Sequence, residues 1–418
     1  MGAHQQTIVV GVTGAFGSGC TTAARHLRDK RKFELLKLSQ VLKDQWRLEH
    51  PHEDPSRTDL QRIGDELRQS NGGGSLIDSA LHQFRSRYEG KQEPTLLVID
   101  GIRNVQEIKR LQDIYGYRFI LIAVVASFED RWERIGSTAY IELGLGLPDF
   151  IADDQRDSNE ETSFGQQVQL CMDRADILLD NSTSVTLQKF KQKVLAVVDL
   201  ASSQKVRPAT QDEILMNIAY SASNSSKCIK RHVGAVVVDI GGQVVGVGYN
   251  ENPIGTHPCV EEPQYGNRCH RDIVRNEHFK QLSEQGARCA RCGAPFPVIV
   301  GPPWRCPSCE ASGGKVNLEK YFFPDRALSW CTAVHAEVWA MLAAGERCRN
   351  GSLYTTAFPC FQCAEKITQV GIKEVIYTEP YPDAHSRGRL QLANVTLRQF
   401  EGVRSSSFER IFSSTKPD

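Results

Sequence analysis

The chain has 418 residues, enough for two or three domains. Its 50 Lys+Arg residues balance 50 Asp+Glu residues, which excludes a whole-molecule field drawing it to a polyanion but leaves local basic patches open. No apolar run reaches a membrane span, residues 1–10 carry no signal-peptide pattern, and the 13 cysteines include three C-x-x-C pairs. These features predict a soluble cytoplasmic protein, without a membrane partner, whose thiols hold metal.

Apolar runs alternating with helical stretches open the chain, the pattern of an α/β domain around a parallel sheet. Ile8–Val12 reads as the first strand, followed by Gly14-Ala15-Phe16-Gly17-Ser18-Gly19-Cys20-Thr21 and a helix over Thr21–Leu27. A glycine-rich loop between a strand and a helix N-terminus wraps phosphate with its backbone N–H groups. Cys20 stands where such loops carry lysine, so the point charge for the terminal phosphates is missing; Thr21 is placed to bind magnesium. Gly14, Gly17, Ser18, Gly19, Cys20 and Thr21 are the candidate nucleotide contacts, with Mg2+ and ATP or GTP as the expected ligand.

Leu96–Asp100, Phe119–Ala126 and Ile177–Leu179 read as further buried strands, and residues 71–74 (NGGG) as a flexible loop. Val98-Ile99-Asp100-Gly101-Ile102-Arg103-Asn104, then Arg131 and Arg134, then Arg156-Asp157, resembles the strand, substrate-arginine and lid elements of the nucleoside monophosphate kinase group of P-loop proteins. That resemblance covers most of residues 5–200. It leaves three readings open: a binding or regulatory domain, an active kinase or NTPase, or a structural relic. The arginines are either phosphate contacts or solvated surface charges.

Residues 1–200 are thus assigned to the first domain and the polar stretch 201–212 to a linker. A helix around Ile214–Ser221, strands at Val233–Val238 and Val244–Tyr249, helices over Thr332–Gly345 and Phe361–Val370, and strands at Ser352–Thr356 and Glu374–Thr378 make a second domain, 213–400. This β-β-α-β-α-β order suits a mixed sheet covered by helices, and 401–418 is left as a tail. Within the second domain, residues 260–320 form an insertion with Cys289-x2-Cys292 and Cys306-x2-Cys309. Paired knuckles of this spacing make a closed four-thiolate structural zinc site. Cys259, Cys269 and Cys331 are either a further zinc cluster or buried thiols.

The strongest chemical signal is His335-Ala336-Glu337 followed by Pro359-Cys360-Phe361-Gln362-Cys363. His335, Cys360 and Cys363 would fill three positions of a tetrahedral Zn2+ and leave the fourth for water, whose pKa the metal lowers. Glu337, two residues past the histidine, is the proton shuttle of the H-x-E…P-C-x-x-C zinc deaminase signature. Residues 232–239, Gly248-Tyr249-Asn250-Glu251-Asn252-Pro253-Ile254-Gly255, Leu353-Tyr354-Thr355-Thr356 and residues 371–377 resemble the deoxycytidylate deaminase family. The resemblance implies hydrolytic removal of the 4-amino group from deoxycytidine nucleotides. It implies too that Asn250 holds the sugar, although a turn asparagine is the alternative. Tyr381 either walls the pocket or packs.

A P-loop domain fused to such a domain resembles the two-domain antiviral deoxycytidylate deaminases of bacterial phage defence. The resemblance implies conversion of dCTP and dCMP to dUTP and dUMP, a nucleotide effector or inhibitor at the N-terminal domain, and a homo-oligomer. Deamination within DNA or RNA strands is the first alternative, against which stand the neutral charge and the lack of a basic, aromatic-rich channel. A bifunctional kinase–deaminase is the second, which Cys20 opposes.

Overall fold

The computed structural model describes residues 7–88, 95–140, 146–158, 165–201, 207–274, 276–277, 330–378 and 384–412. Cys289, Cys292, Cys306, Cys309 and Tyr381 lie outside the described residues. The chain divides into two compact units, Met1–Asn217 with Gln399–Asp418, and Ile218–Arg398.

The first unit is built on a six-stranded sheet of order β11-β5-β4-β1-β3-β2. Its strands are β1 (Ile8–Thr13), β2 (Glu34–Lys37), β3 (Leu96–Asp100), β4 (Phe119–Val125), β5 (Ile177–Asp180) and, from the far end of the chain, β11 (Gly402–Val403). The pairs β1–β3, β1–β4, β2–β3 and β4–β5 are parallel. Parallel strands covered on both faces read as near-continuous apolar runs, which is why FILIAVV in β4 is buried throughout. Thr13 pairs with Ala123 and Val12 with Asp100, so β1 sits where the strand order reverses, the place where open parallel sheets bind ligands beyond their carboxyl ends. Val10, Leu27, Val98, Ile122, Phe190 and Val194 fill the core on one face.

The segment read from sequence as a tail instead completes this sheet. Gly402 pairs antiparallel with Leu178, and Arg404 donates its N–H to the carbonyl of Asp176 and its Nη1 to the carbonyl of Met172. A two-residue strand and the short helix Ser405–Phe412 carry too little apolar pattern to announce themselves. Of residues 71–74, Asn71 closes the helix Arg57–Asn71 and Gly72, Gly73 and Gly74 connect it to the next, which begins at Ser75.

The second unit holds a five-stranded sheet of order β10-β9-β8-β6-β7. These are β6 (Gly234–Val238), β7 (Val244–Tyr249), β8 (Ser352–Thr355), β9 (Glu374–Tyr377) and β10 (Thr396–Gln399). β6 runs antiparallel to β7 and β8, and β8 parallel to β9. Two helices matter for the chemistry, Ala336–Ala344 and Phe361–Val370. The first lies directly on β7 because β7 carries glycines: a Cβ on Gly248 would stand 2.4 Å from the carbonyl oxygen of Ala336, and one on Gly246 2.1 Å from that of Ala340. Ala336, Ala340, Met341, Leu353, Ile367 and Val375 make the core between helices and sheet.

Candidate active site and phosphate-loop cavity

The sequence predicts a helix from Thr332, but it starts at Ala336. The residues before it are held extended by a β-bridge in which Val334 and Glu251 exchange N–H···O bonds of 2.8 and 3.1 Å. His335 therefore becomes the N-cap residue, with φ −72° and ψ 151°, and Glu337 falls in the first turn. Cys360 is likewise the N-cap of the second helix, which places Cys363 in its first turn. The helix ends at Gly371 in the left-handed region, φ 82°, where glycine is favoured.

Two helix N-termini thus meet, and their dipoles favour negative charge at the junction. Nδ1 of His335 is 3.3 Å from Sγ of both Cys360 and Cys363, and all three ligand atoms lie within 4.8 Å of one another. Nitrogen and sulfur ligands at about 2.0–2.3 Å from a tetrahedral zinc stand about 3.6 Å apart, so the donor set fits the ion in number, type and spacing. Among the described residues this is the one His/Cys/Asp/Glu group that close; Cys259, Cys269 and Cys331 form no such group. Hydrogen bonds from Cys363 and His335 pull the Cys360 thiol down into the thiolate range, while the hydrogen bond with Cys360, together with burial, pushes the Cys363 thiol up. A metal would take the place of that shared proton.

Glu337 is 3% exposed, and burial raises it above the ordinary carboxylate range against the opposing charge of His335. It sits beside the ligands rather than among them, as a proton carrier should. A positioning contact that the sequence reading missed comes from Ser386, fully buried in the helix Ala384–Leu392, whose hydroxyl donates to the carbonyl of Pro359 at 2.5 Å. Only its distance in sequence hides it. Asn250 is buried, and its carboxamide bridges the backbone: Oδ1 accepts from Val233 N at 2.7 Å and Nδ2 donates to Arg231 O at 2.9 Å. One proton and one lone pair of that amide remain for other partners.

In the first unit, Gly14, Gly17 and Gly19 take φ values of 156°, 85° and 110°, and the helix Cys20–Arg31 begins directly after. The loop borders a cavity of about 900 Å³, whose further lining includes Leu42, Gln61, Arg103, Arg134, Gln166 and Asn181. That volume accommodates a nucleotide. Thr21 Oγ1 donates to Asp100 Oδ2 at 2.8 Å, the hydroxyl–carboxylate pairing that holds magnesium in phosphate-loop proteins. Cys20 folds back instead of reaching out, with Sγ 3.4 Å from Ser18 Oγ, and burial pushes its thiol up to about 12. It is neutral and supplies no charge.

The arginines divide. Arg131 is fully buried and forms a forked pair with Asp154 at 2.6 and 2.9 Å, with a further bond to the carbonyl of Phe16; it braces the loop and is neither a free phosphate ligand nor a solvated charge. Arg103 reaches Gln166 at 2.9 Å. Arg134 lines the cavity and donates to the carbonyl of Asn181, whose own Nδ2 donates to the carbonyl of Ser18 at 2.7 Å. The side chain of Arg156 lies outside the described residues.

Residues 209–379 match the cytidine and deoxycytidylate deaminase zinc-binding region. The chain is 27% identical over 402 residues to the deoxycytidylate deaminase of Schizosaccharomyces pombe, covering 96% of this chain and 99% of that protein. It is 30% identical over 173 residues to the deoxycytidylate deaminase of Enterobacteria phage T4, covering 40% of this chain and 77% of that protein. Among solved structures, the dCMP deaminase from the cyanophage S-TIM5 covers 45% of this chain and 96% of its own, at 19% identity and a TM-score of 0.26.

Proposed function

This chain belongs to the cytidine and deoxycytidylate deaminase family, and we propose that it hydrolyses deoxycytidine nucleotides, dCMP to dUMP and dCTP to dUTP, releasing ammonia, with its phosphate-loop domain binding a regulatory nucleotide. The observation that carries the chemistry is the meeting of His335, Cys360 and Cys363 at two helix N-termini beside a buried Glu337. Zinc, when bound there, supplies a water acidified to near neutral pH. The protein's own work is proton traffic: Glu337 would accept one proton from the attacking water and deliver it to N3 of the cytosine as C4 is attacked, then take the second from the hydroxyl on C4 and pass it to the amine, which leaves as ammonia as the C4 carbonyl forms. Asn250 is proposed to hold the deoxyribose with the amide capacity its backbone contacts leave over. Cys289, Cys292, Cys306 and Cys309 are proposed to hold a structural zinc, on their spacing.

Incubation of the purified protein with dCMP, dCTP, CTP and a cytosine-containing oligonucleotide, followed by assay for uracil products, tests the substrate class. Turnover of free deoxynucleotides is expected; turnover of the oligonucleotide alone would overturn the proposal in favour of strand editing. The same assay with added ATP or GTP tests regulation. The phage-defence role rests on the resemblance in domain order. Its test is the dCTP pool of infected cells, which the wild-type protein should lower and the Glu337→Gln protein should not. A homo-oligomer in the cytoplasm completes the proposal, and light scattering of the purified chain measures the assembly.

A further inference from the structure

Residues 356–360 join β8 to the helix Phe361–Val370 and end at Cys360, the ligand candidate that caps that helix. The turn is held at several points. Thr356 is tied twice to Gly234, its N–H donating to the Gly234 carbonyl and its Oγ1 accepting from the Gly234 N–H, both at 3.0 Å. Phe358 is buried edge-on against Tyr377, with ring centroids 4.7 Å apart, and Ser386 holds the carbonyl of Pro359. The carbonyl of Thr356 needs a different partner, because the ladder between β8 and β9 ends at the pair Thr355–Tyr377. It accepts from the hydroxyl of Thr378 at 2.7 Å, so a side chain takes over where the backbone pairing stops. A threonine hydroxyl carries one proton. With that proton spent on Thr356, Oγ1 of Thr378 accepts at its other contact, from the Tyr220 hydroxyl at 3.0 Å. Thr356 and Thr378 are both buried, where hydrogen bonds in series strengthen one another. Tyr220 is seated by its neighbour: the Ala219 carbonyl oxygen lies only 1.8 Å from where a Cβ on Gly234 would stand.

We propose that Thr378 and Tyr220 are positioning residues of the deaminase centre, their hydroxyl relay fixing the turn that sets Cys360 Sγ at bonding distance from the metal. The inference rests on the reading of His335, Cys360 and Cys363 as zinc ligands. A metal–ligand bond tolerates displacements of only about 0.2 Å. Cys363 lies inside the first turn of its helix, whereas Cys360 is the extended N-cap residue, with φ −69° and ψ 169°. Its placement therefore depends on the turn before it. Groups that orient a ligand from behind govern metal affinity nearly as the ligands do. Thr378 and Tyr220 act in this way, through the turn and not on the reacting atoms.

The test measures the metal rather than turnover. Zn2+ affinity of the full chain is taken by competition with a chromophoric chelator, and Co2+ replaces Zn2+ to report sulfur-to-metal charge-transfer bands. His335→Ala, subtracted in both measurements, isolates this site from any other zinc the chain holds. Thr378→Val keeps the shape and removes the hydroxyl; it should weaken Zn2+ binding about 10- to 100-fold and shift the Co2+ bands. Tyr220→Phe removes only the outer bond and should weaken binding about 2- to 10-fold, which preserves the test should the valine variant unfold. Thr378→Ser keeps the hydroxyl and should keep both affinity and bands. Wild-type affinity and bands in Thr378→Val and Tyr220→Phe, even with a lowered melting temperature, would overturn the positioning role and leave the zinc centre standing. Equal Zn2+ uptake by wild type and His335→Ala would instead overturn the zinc reading, and the relay's role with it.

Discussion

The two sites of this chain are built from opposite materials. At the deaminase centre the chemistry is carried by side chains, and each of His335, Glu337, Cys360 and Cys363 is present and placed by a helix start. At the glycine loop the proposed phosphate contacts are backbone N–H groups set by glycine torsions, which do not need a lysine where Cys20 stands. A site made of side chains fails all at once when one is lost. One made of backbone can lose a side chain, keep its shape and change its use.

Four variants probe this contrast, the largest effect first. Glu337→Gln should lower kcat for dCMP by about 10²- to 10⁴-fold while elemental analysis finds catalytic zinc unchanged; loss of the metal would show Glu337 to be structural. Arg131→Ala strands Asp154 in the interior and should cost about 3–5 kcal/mol in denaturant unfolding of the first unit. Unchanged stability with weakened nucleotide binding would instead return Arg131 to the ligand contacts. Gly248→Ala forces a methyl against the Ala336 carbonyl and should cost about 1–3 kcal/mol, with a fall in turnover because the displaced helix carries Glu337.

The smallest effect concerns Glu213, on the helix Gln211–Ser223. Burial would raise its pKa, but Arg207 and the N–H groups of Val403 and Thr210 outweigh burial and hold it below the usual glutamate value of 4.5. A depressed carboxylate contributes stability above its unfolded pKa and loses it as pH falls through the folded value. Glu213→Gln should therefore cost about 1 kcal/mol at pH 7, and its thermal melt should converge with that of wild type as the pH is taken below 4.5. A gap that persists in acid would assign Glu213 a packing role only.

The sequence was most informative where pattern and chemistry are local. The strand Leu96–Asp100 and the helix Phe361–Val370 match their predicted bounds, because continuous apolar runs and a terminal glycine are readable within a few residues. The donor set of His335, Cys360 and Cys363 was legible because these residue types have few other reasons to occur at that spacing. What escaped depends on distant partners: the start of the histidine helix is set by Glu251, the fate of Arg131 by Asp154, and the support of Pro359 by Ser386. None of these pairings leaves a periodic trace.

The return of Gly402–Val403 to β5 has a consequence for biosynthesis. β5 leaves the ribosome long before the strand that caps it exists, so throughout synthesis of the deaminase unit the first sheet carries an open edge at Ile177–Asp180. Exposed edges recruit stray strands. Nascent chains stalled or cleaved before residue 402 should therefore be the aggregation-prone species, and a chaperone that shields this edge would matter most in the interval before the last residues emerge.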